Sequence, residues 1–280
     1  MSKTIAAIND LSGLGQSSLC AILPILSVMG HQACPVPTAV LSSQTDGYHN
    51  YAFRDLTDLW PQYFAHWQEE APAFSCIYSG FLGSARQISL VRRFIELFST
   101  DALIVIDPVL GDNGRLYDTM TGEMVSLMRQ LINHADIITP NYTELCLLND
   151  TPYTPKAELE TIKKQMYALS ADGPEKIVTT SIPVKKGTLM TAVYERKNNN
   201  FFTVSHELLQ AHYPGSGDIF AAVMIGSLLN DLSLEQSVKN AADFVCEAIK
   251  ISLSQGRAFR EGVVLEQALP LLLRKTERNG

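Results

Sequence analysis

Five consecutive apolar residues, Ala102-Leu103-Ile104-Val105-Ile106, stop at Asp107-Pro108 and constrain this chain more than any other stretch. The run does not alternate, so a strand made from it must be covered on both faces, as in the middle of a parallel sheet. Strand-length runs recur at 5–8, 33–41, 74–80, 136–139 and 176–180. Segments of helical spacing separate them, at 16–29, 55–70, 85–98, 122–134 and 156–171. That alternation predicts a doubly wound α/β sheet. An antiparallel hairpin is expected over 188–195 and 201–205, followed by helices over 218–229, 234–254 and 264–273. The 280 residues are 46% hydrophobic, enough for one large core, and contain no repeat or low-complexity linker. The chain reads as a single domain, residues 1–280, with the polar stretch around 41–52 and its Asp46-Gly47 turn as a substrate-covering flap.

Charge and cysteine usage remove several function classes. A net charge of −7 with no basic run argues against nucleic acid as a partner. Anionic small molecules remain possible, because backbone N–H groups and a metal can hold phosphate within an acidic protein. The longest apolar stretch, 19–29, contains Pro24 and is too short to span a bilayer. No signal-peptide pattern opens the sequence, so a cytoplasmic protein is expected. Cys20, Cys34, Cys76, Cys146 and Cys246 form no CxxC pair and are expected as buried free thiols. His31, His49, His66, His134, His206 and His212 show no metal-ligand spacing. There is no GxSxG elbow and no GxxxxGK[ST] loop. Residues 9–18 come close to GxGxxG, but no acidic residue follows at the distance a dinucleotide ribose requires.

The remaining chemistry lies at expected strand and helix ends, where ligands bind in open parallel sheets. Gly215-Ser216-Gly217-Asp218 opens an alanine-rich helical segment. The first N–H groups of a helix are unpaired and carry partial positive charge, and glycine lets an anion approach them. Gly215, Ser216 and Gly217 are thus a candidate anion hole, with Asp218 beside it as a proton acceptor that the helix dipole should keep ionised and weakly basic. A plain helix cap is the competing reading. Asp107 and Asp112, in Asp107-Pro108-Val109-Leu110-Gly111-Asp112-Asn113-Gly114, are candidate groups around phosphates and Mg²⁺, although Asp-Asn-Gly is also an ordinary turn. Asn141 and Glu144, in Thr139-Pro140-Asn141-Tyr142-Thr143-Glu144, suit either a metal–nucleotide role or a capping box. Thr179 and Thr180 end another strand within possible reach of a nucleotide.

Taken in order, Asp-Pro-Val-Leu-Gly-Asp at 107–112, Thr-Pro-Asn-x-x-Glu at 139–144, Thr180 and Gly-Ser-Gly-Asp at 215–218 resemble the ribokinase-like superfamily, and within it the pyridoxal kinases. The resemblance spans essentially the whole chain. It implies a three-layer α/β/α sandwich with a mainly parallel central sheet, and transfer of the γ-phosphoryl group of MgATP to the 5′-hydroxymethyl group of a vitamin B6 vitamer. Carried over residue by residue, Asp218 is the catalytic base and Gly215, Ser216 and Gly217 the anion hole. Asp107, Asp112, Asn141, Glu144 and Thr180 bind ATP. Asp112 and Glu144 serve Mg²⁺, partly through water, and Asp10, Ser12 and Thr45 line the substrate side. The family implies a homodimer and help from a monovalent cation such as K⁺. Asp10-Leu11-Ser12-Gly13 is similar to the hydroxymethylpyrimidine kinases of the same fold, which supply the alternative substrate. The alternative of another class is a non-catalytic vitamer- or nucleotide-binding protein.

Overall fold

The structure, a computed structural model, describes residues 2–185, 188–209, 211 and 213–276. His212 lies outside the described residues. The chain falls into two compact units, Met1–Asp58 with Leu209–Gly280, and Leu59–Leu208.

In the first unit, β1 (Thr4–Leu14) runs parallel to β2 (Gln32–Ser43), with β3 (Phe53–Asp55) antiparallel on the far side of β2. The crossover between β1 and β2 is α1 (Ser18–Val28), as a parallel pair requires. Strand β1 is far longer than the apolar residues 5–8 that signal it. Residues 9–14 continue it beside β2, after a register shift between Asn9 and Leu11. Along this extension the usual pattern inverts: Asp10 and Ser12 are buried while Leu11 and Leu14 are exposed. Two helices complete the unit's core, α7 (Ser216–Leu229) and α8 (Leu234–Ser254). Every residue of α7 from Ile219 to Ser227 is buried, which explains its lack of a polar face. A side chain at Gly226 would strike Met29, 2.5 Å from its sulfur, so glycine permits the close approach of α7 to the end of α1. Asn230 donates to the Met29 carbonyl at 3.1 Å and His31 Nε2 lies 3.1 Å from the Gly226 carbonyl, locking the same junction. The helix expected over 264–273 is broken into α9 (Leu265–Ala268) and α10 (Pro270–Thr276). Pro270 cannot donate to a continuing helix, which accounts for the break.

The second unit orders its strands β11-β10-β9-β8-β5-β4. Strands β4 (Cys76–Ser79), β5 (Leu103–Ile106), β8 (Ile137–Ile138) and β9 (Lys176–Lys185) are parallel neighbours. The expected hairpin forms as β10 (Thr188–Glu195) and β11 (Asn200–Glu207), antiparallel to each other, with β10 antiparallel to β9. Helices α2 (Trp60–Glu70) and α3 (Ala85–Phe98) bring Phe64, Trp67, Phe94 and Phe98 together with Phe74, ring centroids 4.8–6.3 Å apart. Such offset and edge contacts add to the area these rings bury. Helices α4 (Gly122–Leu131), α5 (Tyr142–Leu148) and α6 (Leu159–Ser170) supply the remaining crossovers. A small hairpin that the sequence reading did not anticipate, β6 (Gly111–Asp112) with β7 (Arg115–Leu116), follows β5. The cysteines are free, as expected, but only Cys76 and Cys146 are buried, whereas Cys20, Cys34 and Cys246 are partly exposed. No described helix is long and apolar enough to cross a membrane.

Candidate active site

The first unit holds one half of the predicted chemistry. Helix α7 begins at Gly215, whose φ of 83° lies in the left-handed region. A Cβ there would sit 2.3 Å from the Gln16 carbonyl oxygen, so both conformation and space demand glycine. Gly217 differs, because a Cβ at that position would meet nothing within 4 Å. No packing demand within the chain accounts for it, and its backbone lies open to an incoming group.

Asp218 does not behave as a cap for its own helix. Its Oδ1 accepts from the Asn9 amide at 3.0 Å, and its Oδ2 accepts from the Ser18 backbone N–H at 2.8 Å. Each oxygen therefore keeps a lone pair beyond these bonds. Asn9 is itself fixed, since its Oδ1 accepts from the Asp10 N–H at 2.9 Å. Asp10 in turn accepts from two hydroxyls, Ser12 and Ser18, each at 2.6 Å. The half-buried Asp218 carboxyl is pushed up to about 6, mainly by desolvation and further by the neighbouring Asp10 charge, against the Ser18 and Asn9 donors. The expectation of a weakly basic carboxylate is thereby corrected: loss of water outweighs the helix dipole. At about 6 the group is still ionised at neutral pH and is a better proton acceptor than an ordinary aspartate. Burial also raises the Asp10 carboxyl above its ordinary range, opposed by its hydroxyl donors.

The loop expected as a flap leaves β2 at a pinned neck, where the Ser42 N–H donates to the Ala52 carbonyl at 3.0 Å and its hydroxyl accepts from the Ala52 N–H at 2.9 Å. Within the loop, the Gln44 amide donates to the carbonyls of Asp46 and Arg260, and its oxygen accepts from the Asp46 N–H. The Arg260 guanidinium lies over the Tyr48 ring, 5.3 Å from its centroid. Thr45 is exposed beside these contacts.

The second unit holds the other predicted cluster. Asp107 follows β5 directly and is buried, with its N–H donating to the Ser79 carbonyl at 2.8 Å. Glu144 lies in the first turn of α5 and is also buried. Its Oε1 accepts from the Leu110 N–H at 3.0 Å and its Oε2 from the Asn141 N–H at 2.8 Å. The Asn141 side chain accepts from the Glu144 N–H at 3.0 Å, completing a capping box, and donates to the Gly111 carbonyl at 2.8 Å. Asn141 and Glu144 thus splice the start of α5 onto the loop after β5. Burial, then the Asp107 charge, raises the Glu144 carboxyl well above the usual range despite these donors. Asp112 accepts from the Asn113 N–H at 2.8 Å in the turn of the β6–β7 hairpin. Asn113 and Gly114 there have φ of 51° and 76°, the paired left-handed residues of a two-residue hairpin turn. The Gly114 N–H donates to the Thr143 hydroxyl at 2.9 Å. Thr180 is joined to this cluster through its N–H, which donates to the Pro140 carbonyl at 3.0 Å, and by a parallel bridge to Asn141. The described residues contain no group of three or more metal-ligating side chains.

Two residues that the sequence reading did not place in the site, Asn9 and Ser18, hold the Asp218 carboxylate. Asn9 stands beside Asp10 in a recognised segment and could have been found there. The one signal for Ser18 is its place at the last glycine position of the near-GxGxxG segment.

A helix-borne, desolvated carboxylate behind an open glycine turn, in a chain of parallel strands with crossover helices, defines a kinase of the three-layer α/β/α, ribokinase-like class. The chain belongs to the family described as phosphomethylpyrimidine kinase, whose profile matches residues 21–262. It is 45% identical, with a TM-score of 0.93, to a Bacteroides thetaiotaomicron protein provisionally assigned as a phosphomethylpyrimidine kinase and crystallised with pyridoxal; the match covers 97% of this chain and 96% of that one. It is 33% identical to pyridoxal kinase from Lactobacillus plantarum, with a TM-score of 0.90 over 99% of this chain and 98% of that one. Among curated relatives, pyridoxal kinase PdxY of Actinobacillus pleuropneumoniae is 27% identical over 188 residues, and the match spans 64% of each protein.

Proposed function

We propose that this kinase transfers the γ-phosphoryl group of MgATP to the 5′-hydroxymethyl group of a vitamin B6 vitamer, pyridoxal, pyridoxine or pyridoxamine. The observation that carries the reading is Asp218, held by Asn9 and Ser18 and pushed up to about 6 beside the open turn of Gly217. A carboxylate desolvated in this way beside an open turn supports catalysis over binding alone. The pyridoxal found in the 45% identical structure and the pyridoxal kinase activity named for two relatives support the vitamer as acceptor. The family match runs through both compact units, and we take residues 1–280 as one kinase domain with its flap around 41–52.

In the reaction, the acceptor hydroxyl gives its proton to Asp218 as its oxygen bonds to the γ-phosphorus. The bond from that phosphorus to the bridging oxygen breaks, and ADP leaves with the electron pair. The backbone N–H groups of Gly215 and Gly217, with that of Ser216, whose long 3.4 Å bond to the Tyr213 carbonyl gives way, hold the transferring group, which needs positioning and charge stabilisation more than covalent help. Asp10, Ser12 and Thr45 face the vitamer, and Asp107, Asp112, Asn141, Glu144 and Thr180 serve ATP. Glu144 and Asp107 are buried carboxyls whose mutual repulsion a bound divalent cation would relieve. Both Glu144 oxygens already accept backbone N–H groups, so Asp112 would hold Mg²⁺ directly and Glu144 through water. Bound Mg²⁺ supplies neutralisation of charge on the β- and γ-phosphate oxygens. The proposal extends to a cytoplasmic homodimer assisted by a monovalent cation such as K⁺, binding neither nucleic acid nor membrane; sedimentation with and without K⁺ and turnover in KCl against choline chloride test those parts.

A second reading has its own support: Asp10-Leu11-Ser12-Gly13 and the family description both fit a hydroxymethylpyrimidine (phosphate) kinase. ADP release measured in parallel with pyridoxal, pyridoxine, pyridoxamine and hydroxymethylpyrimidine separates the two. Turnover with the pyrimidine alone would overturn the vitamer assignment.

A further inference from the structure

Ser18 is the first residue of α1, and its φ of 53° places a side-chain-bearing residue in the left-handed region. Non-glycine residues adopt that region at a cost, and such positions persist where the surroundings need them. Here the conformation lets one residue serve two carboxylates. The N–H at the start of α1 has no intrahelical partner and donates to Asp218 Oδ2 at 2.8 Å. The hydroxyl donates to Asp10 Oδ1 at 2.6 Å. Asn9 makes the matching link from β1, donating to Asp218 and accepting from the Asp10 N–H. The two acids are therefore clamped twice, once through α1 and once through β1.

From this geometry we infer that Ser18 is a positioning residue for the reaction, a two-pronged clamp whose hydroxyl fixes Asp10 while its N–H fixes Oδ2 of the proton-accepting Asp218. The inference rests on Asp218 acting as the base, and it adds to that reading a residue that acts through Asp218 and Asp10. Asp10 is the charged group that acts on Asp218, and Cys20 of α1 lies beside Asp10. Removing the hydroxyl leaves Asp10 Oδ1 without that buried donor and favours its protonation. With the neighbouring charge diminished, Asp218 becomes a weaker base.

A structural role for Ser18 predicts something else. Ser18→Gly relieves the left-handed backbone and keeps the N–H, whereas Ser18→Ala keeps both the strain and the N–H; each loses the hydroxyl. If Ser18 only starts a helix, the glycine variant matches wild type. If it is the clamp, both variants lose kcat alike, by about tenfold for one hydroxyl–carboxylate bond, with KM for ATP unchanged. In both, the acid limb of the kcat–pH profile and the ¹³C carboxyl titration of Asp218 move to lower pH. The NMR titration needs no turnover, so it tests the clamp even if the assigned acceptor is wrong. Wild-type protein that phosphorylates neither a vitamer nor hydroxymethylpyrimidine refutes the kinase reading on which the inference rests. An active wild type, with Ser18→Gly matching it in kcat and in the Asp218 titration, refutes the clamp alone.

Discussion

Replacing Asp218 with asparagine should make the protein more stable while nearly abolishing turnover. The wild-type carboxyl is pushed from 3.8 to about 6 in the folded chain. Because the folded value lies above the unfolded one, the native state bears a cost for ionising the group at neutral pH. That cost is absent below the unfolded value and grows as pH rises through about 6. A shift of roughly two units corresponds to about 3 kcal/mol for a fully desolvated group. Asp218 is only half-buried, so solvent screening reduces the figure. Asparagine can still accept the Ser18 N–H, but its own NH₂ competes with the Asn9 amide, whose orientation is fixed by Asp10. A net gain of about 1 kcal/mol remains, equivalent to roughly 2–4 °C in Tm for a chain of this size. Thermal melts of both proteins should show Asp218→Asn higher by that amount at pH 7.5, with the gap closing towards pH 4. Its kcat should fall by more than about 10²-fold. A lower Tm at pH 7.5, or a gap equally wide at pH 4, would refute the claim that desolvation sets the basicity of Asp218.

Other outcomes follow from the same contacts. The wild-type kcat should decline about tenfold per pH unit below about 6, as Asp218 takes up a proton, a profile read from initial rates at saturating substrates. Gly217→Ala should fold normally, because its Cβ meets nothing, but lose kcat by crowding the phosphoryl group; Gly215→Ala should lose stability, because its Cβ collides with the Gln16 carbonyl. Paired melts and kinetics distinguish these two effects. Glu144→Ala removes an acceptor from two backbone N–H groups and should cost about 3 kcal/mol, measurable by urea unfolding. His31 is buried with its ring value lowered by desolvation, so its contribution to stability is full above the ordinary histidine range and is lost as pH falls through the folded value. Relative to wild type, His31→Gln should therefore gain Tm on acidification below about pH 6.5, a difference that isolates His31 from the carboxyls, which titrate with the opposite sign.

The architecture was legible where burial follows periodicity. The apolar run before Asp107 is β5, the alanine-rich stretch after Gly217 is α7, and residues 234–254 form α8 as spaced. Legibility failed where function inverts the pattern. Residues 9–14 read as a loop because their polar side chains face inward to build the site while Leu11 and Leu14 face out. The glycines of 215–217 were visible as a motif, yet their different duties were not, since the left-handed φ of Gly215 and its packing against Gln16 are what separate them. Asn141 and Glu144 announced a capping box and form one, but nothing local shows that Glu144 also reaches Leu110. Ser18 stands at the last glycine position of the near-GxGxxG segment, a hint of its left-handed backbone, but nothing in the sequence shows that it bonds Asp10 and Asp218.

The central claim is that Asp218 accepts the proton of a vitamer hydroxyl during phosphoryl transfer. Its most direct test is mass-spectrometric detection of pyridoxal 5′-phosphate in single-turnover reactions of pyridoxal with MgATP, run with wild type and Asp218→Asn side by side. The account predicts stoichiometric product from wild type and a rate more than about 10²-fold slower from the variant, with pyridoxal binding retained. Equal rates from the two proteins, or no phosphorylated vitamer from wild type, would contradict it.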